Sequence, residues 1–318
     1  MRCLRRSDLL EALAGDLPVN TIRYGSNVVS INLDQFTSRP LLHFGDGTTL
    51  LPKIVIGCDG VNSVVAKYLG MKAPRHFKTC VVRGFTRASR RDDKFQSQFV
   101  VTSKGNVQLG TMPVNHHLHY WFVTRPWTSQ DSVILSDENL IKESTVKVLS
   151  TLGFLQEDLD LVKKSDLHHL HLAPLRYRAP WELITGTRIR KGTVTVAGDA
   201  MHAMGPFIAQ GGSASLEDAV ILARCLAPTI VAATKLTMRL DWKNERKKVE
   251  TAIDEYVKER KKRLIGLSTH AFLIGTRIDS SHTRSLWLRP IVKFMCVALL
   301  VIFFSDPCCH TRYDCGRL

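Results

Sequence analysis

The clearest structural pattern in this chain lies at residues 192–226, GTVTVAGDAMHAMGPFIAQGGSASLEDAVILARCL. Residues 193–197 form a short β-branched and apolar run, which predicts a buried strand that ends at Gly198-Asp199. A loop rich in glycine and proline follows, and apolar residues then recur at helical spacing through residues 216–226. The stretch therefore predicts a strand, a loop and a helix.

The start of the predicted helix has the chemistry of a cofactor site. Free backbone N–H groups at a helix N-terminus attract anions, and glycine lets the backbone come close to a ligand. Asp199 ends the preceding strand, where its ionised carboxylate suits a ligand hydroxyl. From these residues alone, a generic cofactor site and an ordinary strand–helix connection both remain open.

The stretch resembles the second FAD fingerprint of the single-component FAD-dependent aromatic hydroxylases and monooxygenases. In that fingerprint a strand ends in Gly-Asp-Ala-x-His, a proline follows, and Gly-Gln-Gly opens a helix containing Glu-Asp-Ala. The matching residues are Gly198, Asp199, Ala200, His202, Pro206, Gln210, Gly211, Glu217, Asp218 and Ala219. The double glycine, completed by Gly212, is similar to the plant zeaxanthin epoxidase-like branch.

One position departs from the pattern. Ala209 stands where the family has the first glycine of Gly-Gln-Gly. If this position requires a positive φ, or lies against the flavin, its methyl group is costly.

A second motif supports the resemblance. The apolar run at residues 53–57 predicts a strand that leads into Asp59-Gly60, and a helix follows from Val64. Asp-Gly after a strand is on its own most often a turn. In this order and spacing it resembles the family's middle fingerprint, whose implied role is shared between FAD and the pyridine nucleotide.

The resemblance implies FAD as cofactor and NAD(P)H as co-substrate. It implies that Arg6 reaches the flavin cofactor, that the Val28 backbone contacts the adenine, and that Asp199 holds the ribityl chain. Without the resemblance, Arg6 would be interpreted as a solvated arginine. The predicted cofactor-binding residues are Arg6, Val28, Asp59, Gly60, Gly198, Asp199, Pro206, Ala209, Gln210, Gly211 and Gly212. No side chain is predicted as a catalytic acid or base.

The predicted fold class is mixed α/β (α+β). We expect an incomplete FAD-binding Rossmann-like domain with an inserted antiparallel-sheet substrate domain and C-terminal helices. Residues 1–74 and 176–230 are assigned to the FAD-binding domain, 75–175 to the substrate sheet and 231–318 to the helical region. The family opens with Gly-x-Gly-x-x-Gly, a pattern this sequence does not contain. We therefore expect the ADP-binding segment to be lost or supplied otherwise.

Local patterns predict further elements. Ser7 is a plausible N-cap for a first helix with a leucine-rich apolar face that stops before Pro18. Short strands are predicted near residues 28–31, 41–44, 79–85, 99–102, 107–113 and 119–123, and helices at 138–149 and 244–267.

Composition and local motifs indicate whether nucleic acid, a metal ion or a membrane is an expected partner. The formal net charge of +15 is high, but the basic helix at 244–267 lacks interleaved aromatic residues, so nucleic acid is not expected. Two His-His-Leu-His clusters, at residues 116–119 and 168–171, have no cysteine or carboxylate at ligand spacing, so no metal site is predicted. The apolar residues 294–304 are too few to span a bilayer, and they predict either a buried helix or a peripheral membrane contact.

Eight scattered cysteines without a Cys-x-x-Cys pair indicate a reducing compartment. The first residues show no signal-peptide pattern. We expect an intracellular protein of the cytoplasm or an organelle, including a plastid if a targeting segment is missing.

The leading hypothesis is an FAD-dependent monooxygenase that uses NAD(P)H and O2 to hydroxylate or epoxidise a small apolar or aromatic substrate. The alternative is a truncated, catalytically inactive relative with a regulatory or protein-binding role. Ala209 and the absent Gly-x-Gly-x-x-Gly favour the alternative, whereas the intact motifs at Asp59 and Asp199 favour the enzyme. A basic membrane-surface protein is a third hypothesis, which rests on net charge and residues 294–304 alone.

Overall fold

The computed structural model describes residues 4–87, 98–184, 188–235, 242–280 and 313–315. The chain divides into two compact units, each with its own hydrophobic core. The first unit comprises the described residues of 1–23, 76–175 and 278–283, and the second those of 24–75, 176–277 and 284–318. The division of the chain into four functional segments remains a prediction.

Both helices and strands occur along the described chain. In order they are α1 (Arg6–Gly15), β1 (Val28–Leu33), β2 (Pro40–Phe44), β3 (Thr49–Leu50), β4 (Val55–Gly57), α2 (Val64–Tyr68), β5 (Arg75–Arg87), β6 (Val100–Lys104), β7 (Val107–Asn115), β8 (Leu118–Pro126), α3 (Asp131–Ile134), α4 (Glu138–Thr151), α5 (Gln156–Lys163), β9 (His171–Tyr177), β10 (Arg190–Lys191), β11 (Val194–Val196), α6 (Asp199–His202), α7 (Gly211–Lys235) and α8 (Trp242–Ser280). Short 3-10 turns lie at Leu167–His169, Pro180–Leu183 and Pro206–Ile208. The predicted mixed α/β class is confirmed.

A parallel strand pair lies at the centre of the second unit. Strands β4 and β11 run parallel, with Val55 opposite Val194 and Gly57 opposite Val196, and β10 adds antiparallel to β11. All of β11 is buried, as expected for a parallel strand covered on both faces. A separate antiparallel sheet, β1-β2-β3, contributes to the same core.

Gly57 lets helix α2 pack directly onto β4. A Cβ atom built at this glycine would lie 2.5 Å from Cβ of Val65, an atom fixed to the helix backbone. Val65 is itself buried in the core of the second unit. The close approach of strand and helix therefore depends on the absence of a side chain at position 57.

The first unit is built on a five-stranded sheet. Its strand order is β6-β7-β8-β5-β9, and the pairs β6–β7, β7–β8 and β5–β8 are antiparallel, as predicted for this region. One face packs on α4 and α5 through a buried cluster that includes Cys80, Val82, Leu109, Trp121, Val123, Ile141, Leu149 and Val162. The partly exposed rings of Phe85, Tyr120 and Phe122 lie on β5 and β8 at positions that alternate with the buried ones.

A buried ion pair joins the end of β8 to helix α3. Arg125 donates two hydrogen bonds to the Asp131 carboxylate at 2.8 and 2.5 Å, and Thr128 donates two more. Burial raises the pKa of Asp131, but the hydrogen bonds from Arg125 and Thr128 outweigh it, so the net pKa is lowered. The carboxylate is therefore ionised at neutral pH.

Several sequence predictions need correction. Ser7 is not the N-cap, because α1 begins at Arg6 and its N-cap Arg5 makes no side-chain capping bond. The leucines of α1 do not face a core: Leu10 and Leu13 are each 54% exposed. Helix α7 extends beyond the apolar pattern of residues 216–226 and continues past Pro228, which is exposed. Apolar periodicity reports a face but not whether another element covers it.

The basic helix is present and longer than predicted, as α8. The apolar residues 294–304 lie outside the described residues, so the predicted buried helix or membrane contact is untested there. No helix in the described part of the chain is both long and apolar enough to cross a bilayer.

Replacing Gly57 by alanine should destabilise the second unit. The new methyl group would overlap Val65 and force α2 away from β4, which we expect to lower the free energy of unfolding by roughly 1–3 kcal/mol. Urea denaturation measures this change. Gly15→Ala is the control, since a Cβ atom there meets nothing within 4 Å, and equal stability of the two variants would contradict the packing argument.

Asp131→Asn should lower the free energy of unfolding by about 3 kcal/mol at neutral pH, since it leaves the Arg125 guanidinium buried without its counter-charge. A lowered carboxyl pKa stabilises the fold above its unfolded value of about 3.9, and this contribution is lost as pH falls through the folded-state pKa. Urea titrations from pH 7 to pH 2 should therefore show the difference between wild type and variant shrinking with acid. Glu143→Gln, at an exposed site of α4, should show no such trend.

Candidate functional site

The two glycine–aspartate motifs leave adjacent strands at the same edge of the sheet. Gly57 is opposite Val196 in the parallel register, and the Ala197 N–H donates to the Gly57 carbonyl at 3.0 Å. Asp59 follows two residues after Gly57, and Asp199 follows three residues after Val196. The carboxyl edge of parallel strands is where α/β proteins bind ligands, so the structure brings the two motifs together at the expected place.

Asp199 projects from a turn that only glycine can make easily. Gly198 has φ +59° and ψ −146°, a conformation that residues with a side chain rarely adopt. Asp199 is exposed, and within the described residues its carboxylate has no hydrogen bond or ion pair. The carboxylate is therefore free to accept hydrogen bonds from a ligand.

Asp59 has a visible structural role. Its Oδ2 accepts hydrogen bonds from the Val64 N–H at 2.7 Å and, more weakly, from the Val65 N–H at 3.4 Å. Ser63 caps the same helix by accepting from the Ala66 N–H at 2.8 Å. Gly60 has φ +77°, and a Cβ atom there would meet nothing within 4 Å, so the backbone is open on that side.

The loop before α7 ends in a strained residue. Pro206 starts a 3-10 turn, and Ala209 ends it in the left-handed conformation, with φ +52° and ψ 29°. The condition stated for this position from the sequence is thus met: the site requires a positive φ, and alanine occupies it at a conformational cost.

The first turn of α7 is bare. Among the described residues, a Cβ atom at Gly212 would meet nothing within 4 Å, and one at Gly211 would meet only Cγ of Met204, at 4.0 Å. The Ala214 N–H bonds to the Gln210 carbonyl, which leaves the preceding helix-start amides outside the helical pattern. Together with the free Asp199 carboxylate, this fits a cofactor with hydroxyl and anionic or electron-rich groups, as FAD has.

A buried charge network lies under this loop. The Asp218 carboxylate, with no exposed area, accepts hydrogen bonds from the Gly198 N–H at 2.8 Å and from Arg260 Nε at 2.6 Å, and pairs with His202 Nε2 at 2.6 Å. Burial raises the pKa of Asp218, but the hydrogen bond and charge of His202 and the charge of Arg260 outweigh it, so the net pKa is lowered.

Sequence reasoning did not find this network. It treated Glu217 and Asp218 as part of a motif and noted no contact for either. The available signal was the position of Arg260 on the buried stripe of α8, four residues after Tyr256. An arginine on an apolar stripe requires a buried acceptor.

Two further predicted cofactor-binding residues belong to other elements. Arg6 begins α1 in the first unit, and Val28 begins β1 in the second, where its side chain packs on the core. Their cofactor contacts remain predictions. Within the part of the chain that the structure describes, no group of three or more histidine, cysteine, aspartate or glutamate side chains could hold a metal ion.

The fold and the paired glycine–aspartate turns define a cofactor-binding α/β protein. Residues 6–256 match the family model described as the FAD binding domain. Because the match covers more than half of the chain, the protein belongs to this FAD-binding family.

The relatives of the chain include FAD-dependent monooxygenases. Monooxygenase 1 of Arabidopsis thaliana is 41% identical over 324 residues, which cover 100% of this chain and 76% of the relative. Monooxygenase 2 of the same plant is 40% identical over 320 residues, which cover 100% of this chain and 75% of the relative.

The Klebsiella pneumoniae protein HpxO, solved in complex with FAD and uric acid, is similar with a TM-score of 0.68 and 20% identity. The similarity covers 93% of this chain and 71% of HpxO, and at this identity it shows the fold alone.

Ala209→Gly should stabilise the protein. Removing the side chain relieves a left-handed residue that costs roughly 1–2 kcal/mol, and the greater freedom of glycine in the unfolded chain cancels part of the gain. We expect the free energy of unfolding to rise by about 0.5–1 kcal/mol, measured by urea denaturation. Ala219→Gly, at an exposed helical position of α7, should instead lower it by about 1 kcal/mol. A loss of stability in both variants would show that position 209 is not strained.

Proposed function

We propose that the chain is an FAD-dependent monooxygenase that uses NAD(P)H and O2 to hydroxylate or epoxidise a small apolar or aromatic molecule. The observation that carries this proposal is the exposed, unpaired Asp199 carboxylate beside the bare start of α7, at the edge where β4 and β11 end. Membership of the FAD-binding family and two relatives named monooxygenases support it. The Arabidopsis relatives and the double glycine favour the plant zeaxanthin epoxidase-like branch.

The cofactor-binding residues are assigned as follows. Asp199 accepts from ribityl hydroxyls, and the backbone amides near Gly211 and Gly212 face the flavin, where the helix dipole favours negative charge. The loop residues Pro206, Ala209 and Gln210 hold this backbone in place, and Gly198 sets the direction of Asp199.

Further contacts to the ligand come from other elements. Asp59 and Gly60 approach the cofactor or the pyridine nucleotide by backbone, since the Asp59 carboxylate already caps α2. Arg6 and Val28 are assigned to the flavin cofactor and the adenine. When bound, FAD supplies the transfer of electrons from NAD(P)H to O2 and the activation of oxygen. No protein side chain is assigned as acid or base.

The substrate class follows from an aromatic row on the sheet of the first unit. The rings of Phe85, Tyr120, Phe122 and Phe99 follow one another with centroid separations of 5.5, 6.3 and 6.2 Å. Such a row offers flat apolar contact to a ring or a conjugated chain. HpxO, whose fold is similar, was solved with uric acid, a flat ring molecule, and we propose a substrate of similar flatness here. The described cysteines are free thiols, which supports an intracellular location.

Binding of FAD tests the proposal. The purified protein is incubated with FAD and desalted, and its visible absorption spectrum is recorded. A retained flavin spectrum, followed by NAD(P)H oxidation and oxygen uptake that increase with aromatic substrates, is the expected result. Parallel assays with NADH and NADPH identify the electron donor. Flavin retained without NAD(P)H oxidation would favour the catalytically inactive alternative, for which the strained Ala209 is the supporting observation.

Asp199→Ala should weaken FAD binding. A hydrogen bond to a charged group contributes about 1.5–3 kcal/mol, so we expect the FAD dissociation constant to rise by roughly tenfold or more. Quenching of flavin fluorescence measures it. Glu255→Ala, which removes another exposed carboxylate of the second unit, is the matched control. An unchanged dissociation constant in Asp199→Ala would refute the ribityl assignment.

A further inference from the structure

We propose that Asp218 is a positioning residue for the cofactor: its buried carboxylate fixes the turn that presents Asp199, and Arg260 and His202 hold that carboxylate in place. This inference rests on the proposed function, because the bound group whose affinity it controls is FAD. It adds residues of α7 and α8 to those that decide how tightly the cofactor binds.

The Asp218 carboxylate contacts residues that lie before and after Asp199 in the sequence. Its Oδ2 accepts from the Gly198 N–H at 2.8 Å and lies 2.6 Å from Nε2 of His202. These two residues are the N-cap and the last residue of α6, the single turn that begins with Asp199. One buried oxygen therefore fixes the start and the end of the turn from which Asp199 projects.

The ring of His202 depends on this one contact. His202 is buried, and its Nδ1 has no hydrogen-bond partner within the described residues. The hydrogen bond from Nε2 to Asp218 is thus what sets the ring orientation. Loss of that bond would leave both ring nitrogens buried without partners, a costly state that a rotation of α6 would relieve.

Arg260 supplies the counter-charge from a distant helix. Its Nε donates to Asp218 Oδ1 at 2.6 Å, its Nη2 donates to the Ala214 carbonyl at 3.2 Å, and its Nη1 lies 2.8 Å from Glu217 Oε2. Four residues earlier on α8, the Tyr256 hydroxyl donates to the Val196 carbonyl at 3.1 Å, at the end of β11. Helix α8 therefore contacts the last residue of β11 directly. Through Asp218 it also contacts the turn that follows β11.

Stability alone does not explain this network. Arg260, His202 and Asp218 have fully buried side chains, and burying charges costs free energy that a good ion pair only offsets. Apolar residues of the same volume would stabilise a core equally well. What the charges add is a fixed geometry, since Asp218 holds three donors, two from the Gly198–His202 turn and one from α8. The turn held in this geometry includes Asp199, whose free carboxylate is assigned to the cofactor.

The test compares Asp218→Asn with Glu217→Gln. Both remove one carboxylate charge next to Arg260, but Glu217 contacts only Arg260 and Arg263 and does not touch the Gly198 turn in the described structure. The FAD dissociation constant is measured by fluorescence quenching, well below each variant's unfolding temperature. Thermal unfolding is recorded separately, and visible circular dichroism reports the environment of bound flavin.

We expect Asp218→Asn to weaken FAD binding by about tenfold and to change the flavin dichroism, an effect of the order seen when supporting residues around a bound group are lost. Glu217→Gln should bind FAD as the wild type does, even if its unfolding temperature falls. Equal FAD affinity in the wild type and Asp218→Asn would overturn the inference while the proposed function stands. A wild type that binds no FAD would overturn both.

A second pair of variants applies if Asp218→Asn does not fold. His202→Gln keeps a side-chain N–H that can reach Asp218, whereas His202→Leu fills the site without a donor. FAD affinity near the wild-type value in His202→Gln, with a loss of about tenfold in His202→Leu, supports the positioning role. Equal affinity in the two variants, whether both are weak or both are tight, would contradict it.

Discussion

The parallel pairing of β4 with β11 is the constraint on which the candidate site depends. Only because Gly57 and Val196 lie opposite each other do the Asp59 and Asp199 turns emerge at one edge, although about 140 residues separate them in sequence. Parallel strands need a crossover connection, and here the intervening chain includes most of the five-stranded sheet of the first unit. The strand pair thus turns two weak local motifs into one site.

Backbone shape was the most predictable part of this site. The sequence predicted a strand that ends at Gly198-Asp199 and a helix from Val64, and the structure has β11 and α2 at these places. These features are local, because a turn or a cap is decided by a few neighbouring residues. Ala209 shows the limit: the sequence identified the position as critical, but only the structure shows that its φ is positive.

The parts that could not be predicted all depend on distant contacts. Apolar spacing correctly indicated a helix in α1, yet its leucines are exposed, since spacing does not say which surface another element covers. The sequence places Asp218 in a motif, but it does not show that the side chain is buried or that its partner is Arg260, 42 residues further along. Sequence motifs predicted the residues assigned to the proposed ligand. The buried charged side chains that hold those residues in place could be found only in the folded structure.

Two arginines of this positively charged chain pack against an aromatic ring. Arg260 and Arg263 both lie over the ring of Tyr313, at 5.3 and 5.1 Å from its centroid, and the Tyr313 hydroxyl donates to Glu259 at 3.2 Å. An aromatic ring can cover a guanidinium without requiring a further counter-ion, because its face is electron-rich. Residues far apart in sequence thereby shield the ion pair between Arg260 and Asp218 from water. An ion pair is stronger away from water, so the Tyr313 ring supports the pair that holds the Asp218 carboxylate against the Gly198 N–H.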